Sequence, residues 1–193
     1  MNVKLDEHSK ILVVGTSGSG KSILAKNVSN ILGIKDIELD ALFLKENWQE
    51  SSNTDFREKI LQSIKGTSGY VINGNYNKVK DLTWGNADTV IWLDYSRFIV
   101  MWRVIKRTFI RIITQEELWS GNKETIKKSF FDKDSIILWA WNTYSKRKAQ
   151  YKEMIKENPY KIKTYIVFKS PREAKEFVKE LKKKRILTNA STL

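Results

Sequence analysis

The sequence contains no cysteine and a single histidine, His8. This removes most of the equipment for thiol chemistry, disulfide stapling, zinc binding and Ser/His/Asp hydrolysis. Whatever chemistry the chain performs must use carboxylates, lysines, arginines and backbone. Proline occurs twice and glycine nine times in 193 residues, with bulky apolar residues spread throughout, so disorder, collagen-like structure and long flexible linkers are poor readings. No stretch of about 18 uninterrupted apolar residues is present to cross a bilayer, so no membrane partner is expected. The opening segment MNVKLDEHSK is charged and lacks the apolar core of a secretory signal, so a cytoplasmic location is expected.

What is present suits one compact domain over residues 1–193. The chain is 41% apolar and 30% charged, close to the globular average. Thirty-five Lys and Arg against 22 Asp and Glu give a net charge of +13. Residues 141–193 hold fifteen of those cations and only five of the acids, so most of the excess lies there. Such a surplus fits nucleotide phosphates, a nucleic acid, acidic lipid head groups or simply a solvated surface.

Periodicity alternates between strand and helix along the chain. The run Ile11–Val14 reads as a strand covered on both faces. A helix follows over Lys21–Leu32, with Ile23, Leu24, Val28, Ile31 and Leu32 at helical spacing and Gly33 as its left-handed stop. Further strands are expected at 36–40, 70–73, 89–93 and 163–168. Helices are expected around Phe56–Ile64, after strand four, from Ser135 to about Ile155, and from Ser170, where Pro171 and Glu173 complete a start signal. In the helix after strand four the apolar stripe is Phe98, Met101, Trp102, Ile105, Phe109 and Ile112, and Trp92 and Trp102 are both expected in the core. The pattern predicts an α/β fold, a five-stranded parallel sheet with helices on both faces, binding its ligand beyond the C-terminal ends of the strands.

Directly after the first strand stands GTSGSGKS, comprising Gly15, Thr16, Ser17, Gly18, Ser19, Gly20, Lys21 and Ser22. It satisfies G-x-x-x-x-G-K-[ST] between a strand and a helix. The glycines let successive N–H groups turn inward around phosphate oxygens at a helix N-terminus. Lys21 then reaches the β and γ phosphates, and Ser22 offers a hydroxyl to Mg²⁺. ATP with Mg²⁺ is the expected ligand.

Two carboxylates end strands. Asp40, in LDALF, is the preferred metal-side or acceptor-side group; Asp94, in WLDYSR, either holds Mg²⁺, supports the loop or caps the next helix. Arg103, Arg107 and Arg111 climb one helix face at every fourth residue, either to neutralise charge developing on a transferred phosphoryl group or to pair in solvent with Glu116 and Glu117. The polar segment from Thr114 to Phe131 is a candidate lid, with Trp119 as its anchor. Asn73–Tyr76 either contacts a phosphate acceptor or shapes a turn, and Lys146, Arg147 and Lys148 either reach phosphates or remain in water. The tail Lys182–Arg185 opposes the helix dipole or offers a non-specific contact to a nucleic-acid backbone.

The combination GTSGSGKS, LDALF, INGNY, TVIWLDYSR, WRVIKR, ELWSGNKE and DSIILWAW resembles a bacterial family of P-loop proteins related to adenylate kinase, commonly labelled topology modulation proteins or adenylate kinase-like ATPases. The resemblance runs from about residue 10 to residue 178. It implies a P-loop NTPase of the nucleoside monophosphate kinase-like fold, with sheet order 2-3-1-4-5, a small lid, and ATP with Mg²⁺. It also implies that residues 15–22 hold the phosphates, that Arg103 and Arg107 touch the nucleotide, and that Asp40 acts as the acid after strand two. Adenylate kinases carry D-G-[FY]-P-R after strand three. Here Asn73-Gly74-Asn75-Tyr76 supplies neither the acid nor the arginine, which argues against AMP as acceptor. Two functions follow. One is an ATP-dependent phosphotransferase with a nucleotide or other small-molecule acceptor. The alternative is an ATP-dependent DNA-binding, topology-modulating protein that needs no acceptor.

Overall fold

The computed structural model describes residues 4–123 and 135–190. Its centre is a sheet of β1 (Lys10–Gly15), β2 (Lys35–Glu38), β3 (Tyr70–Asn73), β4 (Thr89–Leu93) and β5 (Thr164–Phe168), all pairs parallel, in the order β2-β3-β1-β4-β5. The helices are α1 (Lys21–Leu32), α2 (Leu39–Phe43), α3 (Asn53–Ile64), α4 (Lys80–Thr83), α5 (Arg97–Thr114), α6 (Ile136–Glu157) and α7 (Pro171–Ala190).

The strands are apolar at successive residues because both faces of the sheet are covered. Ile11 and Val13 point into one core with Val28 of α1, Val104 of α5 and Phe177 of α7, while Leu12 and Val14 point into the other with Phe56 and Ile60 of α3. Helix α6 serves both, giving Ala140 and Tyr144 to the first core and Tyr151 to the second. Chain order and the caps at Gly33 and Ser170 agree with the sequence reading, whereas α5 is capped by Ser96 and not by Asp94. Gly33 ends α1 at φ 70°, and the hydroxyls of Ser52, Ser96 and Ser135 accept from backbone N–H groups in the first turns of α3, α5 and α6. At α7 the Ser170 hydroxyl caps the Glu173 N–H, and the Glu173 carboxylate takes the N–H of Lys169.

Three expectations change. The second strand stops at Glu38, and Asp40 lies in the first turn of α2 rather than on a strand. Most of the stripe expected to bury α5 is exposed: Phe98 is 81% and Trp102 62% accessible, and Phe109 and Ile105 are exposed as well, while Met101 is partly buried against the core. Trp102 is therefore no core residue, whereas Trp92 is. The face that packs is Val100, Val104 and Thr108, narrower and less hydrophobic than the outer stripe. Periodicity identified the helix but not which of two apolar faces meets the sheet. Beyond residue 123, the candidate lid lies outside the described residues.

Candidate functional site

The glycine-rich loop turns from β1 into α1 with Gly18 and Gly20 at φ 77° and 95°, conformations that L side chains rarely adopt. Gly18 is also packed tightly against α5, since a Cβ there would lie 2.4 Å from Val104 Cγ2. Arg103 of α5 braces the same loop by donating from Nη1 to the Ser19 carbonyl at 3.1 Å, its guanidinium 5.5 Å from the Tyr95 ring centroid.

This loop forms one wall of a cleft of about 1160 Å³. Lys21, Ser22, Glu38, Asp40, Arg103 and Arg107 all line it. The structure thus brings together the loop, Asp40 and the two arginines that the sequence singled out. Arg111 lines the cleft too, with its Nε 3.5 Å from a Glu116 carboxylate oxygen, so part of the ladder is paired as in the solvated-face reading.

Lys21 curls back to donate to the Thr16 carbonyl at 3.1 Å. Burial pushes its ammonium down to about 8; Asp40 and Glu38 pull it back up, and the charges of Arg147 and Arg107 depress it further. A concentration of cations around a desolvated lysine is a site built for an anion.

Ser22 donates to Glu38 Oε1 at 2.5 Å and lies 3.1 Å from Asn73 Oδ1. A hydroxyl that gives its one proton to a carboxylate keeps its lone pairs for a cation. Ser22 and Glu38 are hard oxygen donors that fit Mg²⁺, which holds few protein ligands and completes its shell with phosphate and water. Glu38 was missed in the sequence. It ends β2 opposite Asn73 of β3, and that strand pairing, which no local pattern records, sets it beside Ser22.

Asp40 is engaged differently. The Tyr76 hydroxyl donates to its Oδ1 at 2.6 Å, and burial together with the Asp40 charge drives that phenol well above its ordinary value. Asn75 ties the loop after β3 to both neighbours: its amide donates to the Gly15 carbonyl and accepts from the Tyr151 hydroxyl at 2.6 Å. Arg147 donates to the Asn75 carbonyl at 3.1 Å and stacks on Trp139, 5.0 Å from its centroid. Arg147 and Lys148 both fall at helical spacing between Tyr144 and Tyr151, so the period does not choose between them; the contact with Asn75 does.

Asp94, between Leu93 and Tyr95 of the cleft wall, has partners of its own. Only 5% exposed, it pairs with Lys148 at 2.6 Å and Lys169 at 2.5 Å, and it does not line the cleft. Of the other basic residues, Lys146 is exposed and Arg185 pairs with Glu7 at 2.7 Å. Trp119 does anchor its segment, donating from Nε1 to Glu38 Oε2 at 3.1 Å.

Residues 11–94 match the family model described as ATPase family associated with various cellular activities (AAA). No curated protein matches the chain. Among solved structures, shikimate kinase from Bacteroides thetaiotaomicron is similar at 13% identity and a TM-score of 0.54, covering 91% of this chain and 97% of that one. A gluconokinase from Sinorhizobium meliloti 1021 is similar at 15% identity and a TM-score of 0.52, covering 97% of each chain. Shikimate kinase from Acinetobacter baumannii, in complex with shikimate, is similar at 12% identity and 0.53, covering 94% of each. None of these comparisons supports a nucleic-acid partner for the basic C-terminal region. Such identities establish architecture alone: the chain has the kinase-like fold of these structures, with five parallel strands ordered 2-3-1-4-5, and its residues 11–94 resemble the ATPase model.

Proposed function

We propose that the protein is an ATP- and Mg²⁺-dependent phosphotransferase that moves the γ-phosphoryl group to a hydroxyl of a small-molecule acceptor. The observation that carries this reading is the assembly, in one cleft, of Lys21, the Ser22–Glu38 pair, Asp40 and two arginines around the glycine-rich loop. Asp40, held by the half-buried Tyr76, is a second carboxylate placed to take the proton of an acceptor hydroxyl. The sequence resemblance to adenylate kinase-related P-loop proteins supports the same reading at finer grain.

In this assignment the backbone N–H groups of residues 15–22 and the Lys21 ammonium hold the phosphates. Ser22 and Glu38 would hold Mg²⁺, which would neutralise negative charge on the phosphates. Asp40 orients the acceptor. Tyr76 holds Oδ1, so Oδ2 takes the acceptor proton as its oxygen bonds to the γ-phosphorus and ADP departs with the bridging electron pair. Arg103 and Arg107 neutralise charge on the equatorial oxygens. The reading is tested by phosphorus NMR of ATP incubated with the protein, Mg²⁺ and a pooled metabolite extract. A new phosphate ester, absent with Lys21→Ala, is expected; ADP and inorganic phosphate alone, at a rate no acceptor pool changes, overturn it.

A further inference from the structure

Glu38 is held from two directions. Ser22 of α1 takes Oε1 at 2.5 Å, and the indole N–H of Trp119, 81 positions away in sequence, takes Oε2 at 3.1 Å. Trp119 begins a short turn, Trp119–Gly121, enclosed by an antiparallel bridge between Glu117 and Lys123. Facing it is a turn of the same construction, Glu46–Trp48, enclosed by a bridge between Leu44 and Glu50.

The two turns are clasped together. Asn122, 5% exposed, accepts the Trp48 N–H at 2.8 Å and donates to the Lys45 carbonyl at 2.9 Å and to the Trp119 carbonyl at 2.7 Å. The Ser120 hydroxyl donates to the Leu44 carbonyl at 2.9 Å. Asn47, Trp48 and Ser120 adopt positive φ without being glycine, a conformation that surrounding contacts must enforce. The Asn122 amide thus joins the turn that carries Trp119 to the segment that follows Asp40.

A carboxylate fixed at one oxygen still turns about its remaining torsions, whereas one fixed at both has its plane set. We infer that Trp119 is a positioning residue: seated by the Asn122 clasp, its indole N–H orients Glu38 so that the Ser22–Glu38 pair presents its oxygens to the metal-nucleotide. This rests on the assignment of Ser22 and Glu38 to the Mg²⁺ end of the site. It makes docking of the 117–123 turn and completion of the metal side a single event. When the clasp parts, Glu38 loses its second hold.

The test is calorimetric titration of ATP, with and without Mg²⁺, into the wild type, Trp119→Phe, Asn122→Ala and the double variant. Hydrogen exchange at residues 117–123 reads the clasp directly. A lost hydrogen bond to a charged group predicts that the Mg²⁺-dependent gain in ATP affinity falls about tenfold in Trp119→Phe, which keeps the ring. Metal-free ATP affinity stays within about twofold of wild type. Asn122→Ala gives the same pattern with faster exchange in the turn, and the double variant is no worse than the more impaired single one, because both act through one contact. If Asn122→Ala melts the fold, Ser120→Ala is the milder variant for that arm. The inference is overturned if Trp119→Phe keeps the full Mg²⁺-dependent gain, if it loses metal-free and Mg²⁺-dependent affinity alike, or if the two substitutions multiply. A wild-type protein that binds no ATP fails the functional reading itself and takes the inference with it.

Discussion

At Lys21, burial and charge meet in one atom. A folded-state value near 8 means that the ligand-free lysine shares its proton with solvent at mildly alkaline pH, and a bound triphosphate draws that proton back. Calorimetry of ATP binding at pH 8 in two buffers of different ionisation enthalpy is therefore expected to show uptake of up to about half a proton per site, absent in Lys21→Met. ATP affinity should weaken as pH rises further. The sign for stability is opposite. Between about 8 and the ordinary 10.5 the unfolded chain holds a proton that the folded chain has released, so the ligand-free protein gains stability as pH climbs through that window. Urea titrations across the window check it. Lys21 was identifiable in the sequence because its motif is local and contiguous. Glu38 and Arg147 were not assigned to the site, because their partners, Ser22 and Asn75, lie on other elements.

Among the elements, α5 does the most varied work. Its inner face carries Val100 and Val104 against the core, and Gly18 of the phosphate loop nests on Val104. Gly18→Ala is expected to cost about 2–4 kcal/mol, combining a left-handed backbone with a methyl forced into Val104, and to abolish ATP binding. Thermal melts and calorimetry measure both effects. The exposed stripe behaves otherwise. Phe98→Ser should change stability by no more than about 0.5 kcal/mol, whereas Val104→Ala on the opposite face should cost about 2 kcal/mol in chemical denaturation. The reverse ranking would restore the core assignment that hydrophobicity suggested. A helix with two apolar faces gives a periodicity argument no means of choosing between them. The sheet chose the face whose smaller residues let α5 approach the phosphate loop closely.

Across the whole molecule, the carboxylates at strand ends divide their labour. Glu38 and Asp40 enter the cleft, while Asp94, after β4, neutralises Lys148 of α6 and Lys169 after β5, fastening the far half of the sheet to α6. Asp94→Asn should lower stability by about 1–3 kcal/mol, since it leaves two lysines beside a nearly buried neutral amide, both lysines retaining partial hydration. The Mg²⁺ dependence of ATP binding should stay unchanged. A loss of that dependence with intact stability would give Asp94 to the metal after all. The positive surplus is used at several scales too: Arg103 braces the loop, Arg147 braces the turn after β3, Arg185 reaches Glu7, and the lysines of the C-terminal tail face solvent.

The order of elements, the parallel sheet, the phosphate loop and the caps at Gly33 and Ser170 were readable in the chain, because each depends on residues within one or two turns of one another. Local patterns record backbone preference and one-dimensional spacing, and these features need nothing more. Three things required the folded chain: which face of α5 is covered, which carboxylate stands beside Ser22, and that Asn122 joins two turns more than 70 residues apart. Each is a pairing across the sheet or the cleft. Side chains distant in sequence become neighbours only when packing sets their separation, and no periodicity within a segment encodes that distance.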